Sequence, residues 1–375
     1  MKALSLFANV GVAEAYLSEI GIDVVVANEL EEDRARFYHH LYPKCNMICG
    51  DITDKGVYNS IIEASKEQCV EMVMATPPCQ GMSIAGHNSP YDERNSLIKY
   101  AVDAILELRP KYVFMENVPQ QLDTPIYYND KEMLIPCYLE ERLGNFYNFN
   151  SEKITNTMFY GVPQMRRRCV ILLVRKDVDF IWEFPKPEEK IVTLAEAFAG
   201  IPDLWPDIRE KEYRGKLPKN TKEALSFHKW HRPPCHVWRN IECMLHTPAG
   251  NTAFDNPYYY PKKKNGEKVK GYDTTYHRLF WEKPAATITK WNGIMGSQNN
   301  VHPGKFWKND ENGDPLYTNP RVLTIYELLV VSSLPTDWDI PDWANEQLIR
   351  FVIGEGVPPL MVKKIIEPVM AHERS

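Results

Sequence analysis

The stretch VEMVMATPPCQGMS, residues 70–83, sets the pattern from which we predict the fold of this chain. Its first part is a short continuous apolar run, which is typical of a strand buried on both faces. Pro77 and Pro78 end that strand, because proline lacks the N–H that a sheet ladder needs. Cys79 follows directly. We therefore expect its thiol at the carboxyl edge of a sheet, where ligands bind in open α/β folds.

Strand and helix patterns alternate around this stretch through the first 175 residues. The other strand-like runs are KALSLFA (2–8), DVVVANE (23–29), KYVFMENV (111–118) and RCVILLVRKD (168–177). Helical spacing is found in GVAEAYLSEIG (11–21), YNSIIEASKEQC (58–69) and NSLIKYAVDAILELRP (95–110). Apolar strands that alternate with helices predict an α/β protein: a Rossmann-like, mostly parallel sheet with helices on both faces.

The texture of the sequence changes after about residue 180. Prolines, aromatic residues and short polar stretches dominate as far as about residue 320, which favours a second, smaller and irregular domain. Helical patterns return with TIYELLVVSSLP (324–335) and PPLMVKKIIEPVMAH (358–372). We find no internal repeat, and the segment 261–270 is predicted to be a loop.

Composition and charge narrow the classes of protein that this chain could belong to. No run of about 18 apolar residues is present, so we expect no membrane span. The start has no leader pattern, and the eight scattered cysteines favour a reducing cytoplasm over a disulfide framework. Residues 211–290 hold 16 Lys and Arg against 7 Asp and Glu, a net of +9 on a chain of −6. That segment indicates either a docked polyanion or a solvated lysine-rich surface.

Three strand ends suggest a site for a nucleoside-type cofactor. Gly11 lies in a tight turn after the first strand, where backbone N–H groups can receive a polar ligand. Glu29 ends the next strand, 18 residues further on, at the position where a carboxylate meets ribose hydroxyls. Asp51 ends the third strand and could accept a hydrogen bond from an adenine amino group. The alternative is that the glycine is only structural.

Cys79 and Glu116 are predicted to share one edge of the sheet. A thiol held at a strand end behind two prolines favours a nucleophile. The alternatives are a buried inert thiol and a metal ligand, although no CxxC motif or nearby histidine accompanies it. Glu116 and Asn117 end the next long strand, where partly apolar surroundings could keep a carboxyl protonated at neutral pH. In isolation, Glu116 could equally be a capping or surface residue.

Three arginines precede the last apolar strand of this half. Strand alternation places Arg166 and Arg168 on one face and Arg167 on the other. Paired guanidinium groups facing a pocket could hold an oxygen of a base or a phosphate. The alternative is a basic strand start on the surface.

These residues, taken in order, resemble the cytosine-C5 DNA methyltransferases of the prokaryotic restriction-modification type. The resemblance rests on Cys79 in PPCQ, Glu116 in ENV, and QMRRR at 164–168. Further similar blocks are LSLFANVG, RLFWEKPAATIT, RVLTIYELLVVSSLP and GEGVPPLMV, so that the resemblance spans nearly the whole chain. Two positions depart from the family pattern: Asn9 replaces a usual glycine, and Glu355 replaces a usual asparagine. Both motifs flank the cofactor in the family, so the departures bear on cofactor affinity.

The resemblance implies S-adenosyl-L-methionine as methyl donor and cytosine in double-stranded DNA as acceptor. Cys79 would add to C6 of a cytosine flipped out of the duplex, and Glu116 would contact N3 and the amino group. Arg166 and Arg168 would hold the cytosine O2 and keep the thiol region electropositive. The segment from Gln80 to about Arg94 would be the mobile loop that closes over the base.

The resemblance also assigns the donor pocket and the domains. Phe7, Gly11, Glu29, Leu30, Asp51, Ile52 and Pro78 would bind the donor. Residues 1–185 and 340–375 would form the catalytic domain, and 186–339 the target-recognition domain that reads DNA. A cognate restriction endonuclease that acts on the same site is an expected partner.

Two other functions and a metal site stay open at this point. A tRNA-modifying branch shares the PPCQ and ENV blocks, although the large basic insert favours DNA. A catalytically silent DNA-binding relative is hinted at only by Asn9 and Glu355. A zinc set is conceivable at His231, Cys235, Cys243 and His246, but its spacing is atypical, and we predict no metal.

Overall fold

The computed structural model describes residues 1–78, 93–209 and 217–375. Within them the strands are β1 (Lys2–Leu6), β2 (Asp23–Glu29), β3 (Asn46–Cys49), β4 (Met72–Ala75), β5 (Tyr112–Asn117), β6 (Pro125–Tyr128), β7 (Lys131–Leu134), β8 (Tyr147–Phe149), β9 (Ile154–Asn156), β10 (Arg167–Arg175), β11 (Asp207–Ile208), β12 (Cys235–His236), β13 (Phe306–Asn309) and β14 (Pro315–Tyr317). The α-helices are α1 (Glu32–Leu41), α2 (Lys55–Glu67), α3 (Leu97–Leu108), α4 (Ile135–Leu143), α5 (Leu194–Ala197), α6 (Lys222–Ser226), α7 (Trp238–Leu245), α8 (Ile325–Val331), α9 (Glu346–Glu355) and α10 (Pro359–Glu373).

The central sheet confirms the predicted fold class. Its strand order is β3-β2-β1-β4-β5-β10-β8, and β9 pairs with β10. The first five strands are parallel, whereas β10 runs antiparallel to β5, β8 and β9. Strands β2 and β4 flank β1, so the chain reverses its winding direction there. This is the switch point of a doubly wound sheet, where a ligand crevice opens at the carboxyl edge.

Helices cover both faces of this sheet, as predicted. Alternation in β5 sends Val113 and Met115 to one face and Tyr112 and Phe114 to the other. The first face packs against α2, α3 and α4, and the second against α10. Because both faces are buried, the strands read as unbroken apolar runs in the sequence.

The helix predicted over residues 11–21 is wrong. The structure has two short 3-10 turns there, Val12–Glu14 and Ser18–Ile20. The buried residues are Val12, Glu14, Leu17 and Ile20, and steps of two or three residues match the tighter 3-10 turn better than an α-helix. Burial of Glu14 follows from this winding.

The region 186–339 contains only short helices and strands among its described residues, consistent with an irregular second half. One apolar cluster nevertheless joins it to the rest, with Val12 and Phe37 from the N-terminal part, Leu328 from α8 and Ile349 from α9. The cluster crosses the predicted domain boundary at residue 339, and that boundary stays a prediction. The sequence patterns predict neither α1 nor α9.

Candidate active site

The chain just before Cys79 is fixed by the ends of the strands on either side of β4. Thr76 donates its hydroxyl to the carbonyl of Phe7 at 3.1 Å, beyond the end of β1. On the other side Asn117 donates its side-chain N–H to the carbonyl of Pro77 at 3.1 Å. These bonds hold the approach to Cys79 at the carboxyl edge of the sheet. Cys79 itself lies outside the described residues.

Two further predictions concern residues within or next to the segment 79–92, which lies outside the described residues. The predicted closing loop, Gln80 to about Arg94, lies outside the described residues as far as position 92. Pro78, predicted to line the donor pocket, is half-buried. Both assignments stay predictions.

Glu116 is a buried carboxylate at the end of β5, next to β4. Its residue is 6% exposed, and its Oε1 lies 2.8 Å from Nε of Arg168. Burial raises the pKa of Glu116 above its ordinary value, although the charges of Arg168 and Arg166 pull in the opposite direction. The site thus combines a carboxyl that takes up a proton more readily than usual with a guanidinium that keeps it oriented.

Arg166 and Arg168 have different environments. Arg168 faces Glu116 with a side chain that is 11% exposed. Arg166 precedes β10 and donates to the carbonyls of Ile288 at 2.8 Å and of Gly354 and Glu355 at 3.1 Å each. Arg166 therefore joins three chain segments behind the site. Its direct contact with a substrate stays a prediction.

Glu29, at the end of β2, is held by two backbone donors. Its Oε2 accepts from the N–H of Asn9 at 2.8 Å, and its Oε1 accepts from the N–H of Glu31 at 3.0 Å. Asn9 has a φ of 52°, in the left-handed region that asparagine tolerates better than most non-glycine residues. This explains how asparagine can replace the glycine usual in the family while the turn is kept.

The turn at Gly11 requires glycine. Its φ is 76°, and a Cβ there would overlap the ring of Tyr42. The Tyr42 hydroxyl also donates to the Gly11 carbonyl at 2.7 Å. The turn is therefore braced from beneath by α1 and its flanking residue.

The other residues that are predicted to bind the methyl donor differ in solvent exposure. Phe7 is half-buried with a φ of 59°, and Leu30 is 58% exposed beside Glu29. Asp51 follows β3, and its Oδ1 accepts from the N–H of Thr53 at 2.8 Å. Ile52 is 3% exposed and packs in the core cluster on one face of the sheet. The structure places these residues at successive strand ends, and their contacts with a donor stay predictions.

Sequence reasoning missed Glu14, a buried carboxyl next to the Gly11 turn. It accepts a hydrogen bond from the Tyr38 hydroxyl, and burial raises its pKa to about 7. Tyr38 lies on α1, so this bond ties the helix to the turn. The available signal was the single charged residue within the otherwise uncharged run VGVAEAYL, residues 10–17.

The conceivable zinc set is not assembled. The ring nitrogens of His231 lie 3.2 Å from the Thr324 hydroxyl and 3.1 Å from the Pro202 carbonyl. Cys243 is buried, with its sulfur 3.2 Å from the carbonyl of Asn240. Across residues 1–78, 93–209 and 217–375, no group of three or more His, Cys, Asp or Glu side chains is arranged to hold a metal.

A doubly wound sheet with oriented carboxylates at successive strand ends defines a Rossmann-like enzyme class. Comparison with known proteins identifies the family within it. The model of the C-5 cytosine-specific DNA methylase family matches residues 1–371, and the chain belongs to that family. It is a DNA (cytosine-5-)-methyltransferase of the restriction-modification type, and it uses a methyl-donor cofactor.

Relatives match over the whole length of the chain. Type II methyltransferase M1.HgaI of Avibacterium volantium is 39% identical over 374 residues, which is 98% of this chain and 98% of that protein. Type II methyltransferase M.XorII of Xanthomonas oryzae pv. oryzae is 27% identical, covering 98% of this chain and 84% of that protein.

Solved structures share the fold at low sequence identity. A prophage-encoded protein of E. coli described as a DNA modification methyltransferase has a TM-score of 0.67 at 17% identity, and the match covers 100% of both chains. A variant of Spodoptera frugiperda DNMT2 has a TM-score of 0.59 at 15% identity, covering 100% of this chain and 99% of that chain. Among the helices in the described part of the chain, none is long and apolar enough to cross a bilayer.

Proposed function

We propose that this protein transfers a methyl group from S-adenosyl-L-methionine to C5 of a flipped-out cytosine in a specific duplex DNA sequence, through a covalent bond between Cys79 and C6. The observation that carries the proposal is the buried Glu116–Arg168 pair, which lies at the end of β5 beside the strand that leads to Cys79. An acid and a nucleophile on adjacent strand ends can act on one planar base.

The chemistry needs both side chains. C5 of cytosine is a poor nucleophile, and addition of the Cys79 thiolate to C6 converts the ring into an enamine. Glu116 supplies the proton that N3 gains in this step, which its raised pKa favours. C5 of the enamine could then take the methyl group that a bound donor would supply, and the donor would leave as a neutral thioether. Transfer of the C5 proton to a base restores the C5–C6 double bond and expels the Cys79 thiolate, and N3 returns its proton to Glu116, so that bonds and charges balance over the turnover.

Arg168 positions the acid. Its ion pair with Glu116 fixes the carboxyl group at the edge of the sheet, and its remaining donors could reach the cytosine O2. Cytosine C6 is inaccessible inside a stacked duplex, so the base must leave the helix before Cys79 can reach it.

The residues present fit S-adenosyl-L-methionine. Glu29 is fixed by two backbone N–H groups beside the left-handed turn through Asn9 and Gly11, which suits a carboxylate that binds ribose hydroxyls. Asp51 ends β3 nearby and could take the adenine amino group. When bound, this donor supplies an electrophilic methyl group on a sulfonium.

Duplex DNA would dock on the basic part of the region 186–339. Lys262, Lys263 and Lys264 are half-buried to exposed, and Tyr258 and Tyr272 are 73% and 78% exposed. Lysines contact phosphates, and aromatic side chains can pack against sugars and bases. A partner restriction endonuclease that cuts the same sequence is part of this proposal, since the relatives are named Type II methyltransferases.

The decisive test is trapping on DNA that carries 5-fluorocytosine. Fluorine cannot leave C5 as a proton, so the parent protein should form a donor-dependent complex that survives denaturing electrophoresis. Cys79→Ala should abolish trapping and methylation but retain DNA binding, whereas Cys137→Ala, at an exposed cysteine of α4, should behave like the parent. A trapped peptide that maps to another cysteine would refute the assignment of Cys79.

The substrate is tested by a separate measurement of where methyl groups are added. Genomic DNA methylated by the protein and read by bisulfite sequencing should show one modified sequence context. Transfer of methyl to tRNA but not to duplex DNA would replace this proposal with the RNA alternative. Failure to bind the donor in calorimetry would favour a catalytically silent relative.

A further inference from the structure

The end of α9 and the residue that follows it, positions 354–356, lie between the predicted donor pocket and the second half of the chain. At one end, a Cβ on Gly354 would overlap the backbone of Thr289. At the other end, a Cβ on Gly356 would come within 2.6 Å of the Val12 side chain, next to the Gly11 turn. Both glycines thus mark close packing, and Glu355 lies between them.

Glu355 replaces a residue that is usually asparagine in the family, and it forms two charged contacts. Its Oε2 lies 2.8 Å from Nη2 of Arg34, and its Oε1 lies 3.8 Å from Nζ of Lys290. The side chains of Arg34 and Glu355 are 23% and 24% exposed, whereas that of Lys290 is 35% exposed. The Arg34 contact is shorter and better shielded, so it should contribute more.

Arg34 belongs to a face of α1 that contacts the C-terminal part of the chain. One and two turns further along, Phe37 stacks on Trp338 at 5.4 Å between ring centroids, and His40 lies 3.0 Å from Asp339. Positions 34, 37 and 40 are spaced by three residues and share one side of the helix. Glu355 therefore extends an existing interface to the first turn of α1.

That first turn of α1 directly supports Glu29, a residue of the predicted methyl-donor pocket. Glu31 caps the helix, and its N–H donates to Glu29 at 3.0 Å. Glu29 also accepts from Asn9, whose side-chain N–H donates to the carbonyl of Val352 on α9 at 3.3 Å. Asn9, the other departure from the family pattern, thus contacts the same C-terminal helix.

We propose that Glu355 is a positioning residue: its ion pair with Arg34 fixes the end of α9 and the start of α1 together, and so holds the Asn9–Gly11 turn and Glu29 ready for the donor. The inference rests on the proposed donor site. It assigns to the two departures one shared role, a chain-specific connection between the N-terminal turn and the C-terminal helices.

The test replaces Glu355 with the residue usual in the family. Glu355→Asn should weaken donor binding in calorimetry about fivefold, which is the range of a partly shielded ion pair. Arg34→Met should give a similar loss and Lys290→Met a smaller one. The double variant Glu355→Asn with Arg34→Met should be no worse than either single variant. The matched control is Glu346→Gln, because Glu346 also lies on α9 and pairs with Arg350 at 2.8 Å, but away from α1.

Hydrogen exchange provides a readout that needs no donor. The amides of Asn9 and Gly11 should exchange faster in Glu355→Asn and in Arg34→Met than in the parent or in Glu346→Gln. Unchanged exchange together with unchanged donor affinity in Glu355→Asn would overturn the inference. A parent protein that binds no S-adenosyl-L-methionine would instead refute the proposed function, and the exchange measurement would still decide the role of Glu355.

Discussion

The sheet half of this protein (residues 1–185) and its irregular half (residues 186–339) satisfy the hydrogen bonds of their buried backbone groups in different ways. In the sheet half, strands pair with strands, and apolar side chains cover both faces. In the irregular half the strand ladders are short, and charged side chains bond many of the remaining carbonyls. Arg278 is fully buried and donates to the carbonyls of Met244, His302, Thr318 and Asn319. A chain without extended strands can thus be ordered by a few multivalent donors.

Within the irregular half, a second buried arginine connects a loop to α8. Arg321 forms two bonds to Glu327, at 2.7 and 2.8 Å, and also donates to the carbonyl of Leu204. Glu327 completes a capping box with Thr324 at the start of α8. Such centres are costly to desolvate and give many bonds in return, so the irregular half should depend on single residues more than the sheet half does.

The largest expected effect follows from removing such a centre. Arg278→Met should lower the free energy of unfolding by about 3–5 kcal/mol, because several buried carbonyls lose their donor at once. Chemical denaturation measures the loss. Arg209→Met is the control, since Arg209 is exposed and its guanidinium donates to the carbonyl of Cys235 at the long distance of 3.3 Å. Equal losses in the two variants would remove the contrast between the halves.

This contrast also explains how much of the fold the sequence predicts. Strand β5 is recognisable from KYVFMENV, because a strand buried on both faces needs apolar residues throughout. The partners of Arg278 are carbonyls from distant loops, and carbonyls are present in every residue. No local pattern therefore identifies Arg278 as a structural centre. The 11–21 prediction failed for a related reason, since burial of Glu14 beneath the turn depends on Tyr38 from α1.

The two halves also contain buried carboxyl groups with opposite pKa shifts. Burial raises the pKa of Glu14 from 4.5 to about 7, whereas Arg321 lowers the pKa of Glu327 to about 2 against the effect of burial. A raised folded-state pKa means that stability is lost as pH rises from about 4.5 to about 7. A lowered one means that stability is lost as pH falls from about 4.5 to about 2.

Each shift corresponds to on the order of 3 kcal/mol of pH-dependent stability. Glu14→Gln should therefore flatten the unfolding free energy on the neutral side, and Glu327→Gln should flatten it on the acid side. Denaturant titrations at a series of pH values would show both windows. Glu19→Gln, at an exposed partner of Lys363, should retain the parent profile. The unfolding free energy of the parent minus that of Glu14→Gln should decline between about pH 4.5 and 7. If this difference stays constant, the buried, protonated state of Glu14 is contradicted.

More of the candidate site than of the irregular half could be predicted from the sequence. Strand ends are visible in sequence, so Glu29, Asp51 and Glu116 could be assigned to one edge. The separate environments of Arg166 and Arg168 could not be predicted. Strand alternation indicates the face on which a side chain lies, but not the group that it contacts. Arg168 faces a carboxylate, while Arg166 bonds to carbonyls from residues more than 120 positions away.

A moderate effect on methyl-donor affinity is expected from a substitution in the predicted donor pocket of the sheet half. Glu29→Ala should weaken donor binding by roughly 1.5–3 kcal/mol, the range for hydrogen bonds to a charged acceptor. It also frees the N–H groups of Asn9 and Glu31, so the turn should loosen. Calorimetric titration measures the affinity. Glu31→Ala is the control, because that side chain makes no capping bond to α1. Unchanged affinity in Glu29→Ala would make Glu29 a structural residue only.

The smallest effect is expected on the surface of the irregular half, at the lysines of 261–270. A protein that docks on phosphates loses affinity with salt at a log–log slope of about −0.9 per neutralised phosphate. Replacing Lys262, Lys263 and Lys264 by alanine should reduce the magnitude of that slope by about 2, a smaller change than three free lysines would give. The reason is that Lys263 already pairs with Glu267 at 3.0 Å, and phosphate contact must compete with that pair. Fluorescence anisotropy with a duplex over a range of salt concentrations measures the slope, and Lys66→Ala in the sheet half should leave it unchanged. A triple variant with the parent slope would return the loop to the solvated-surface alternative and move the DNA footprint elsewhere on the irregular half.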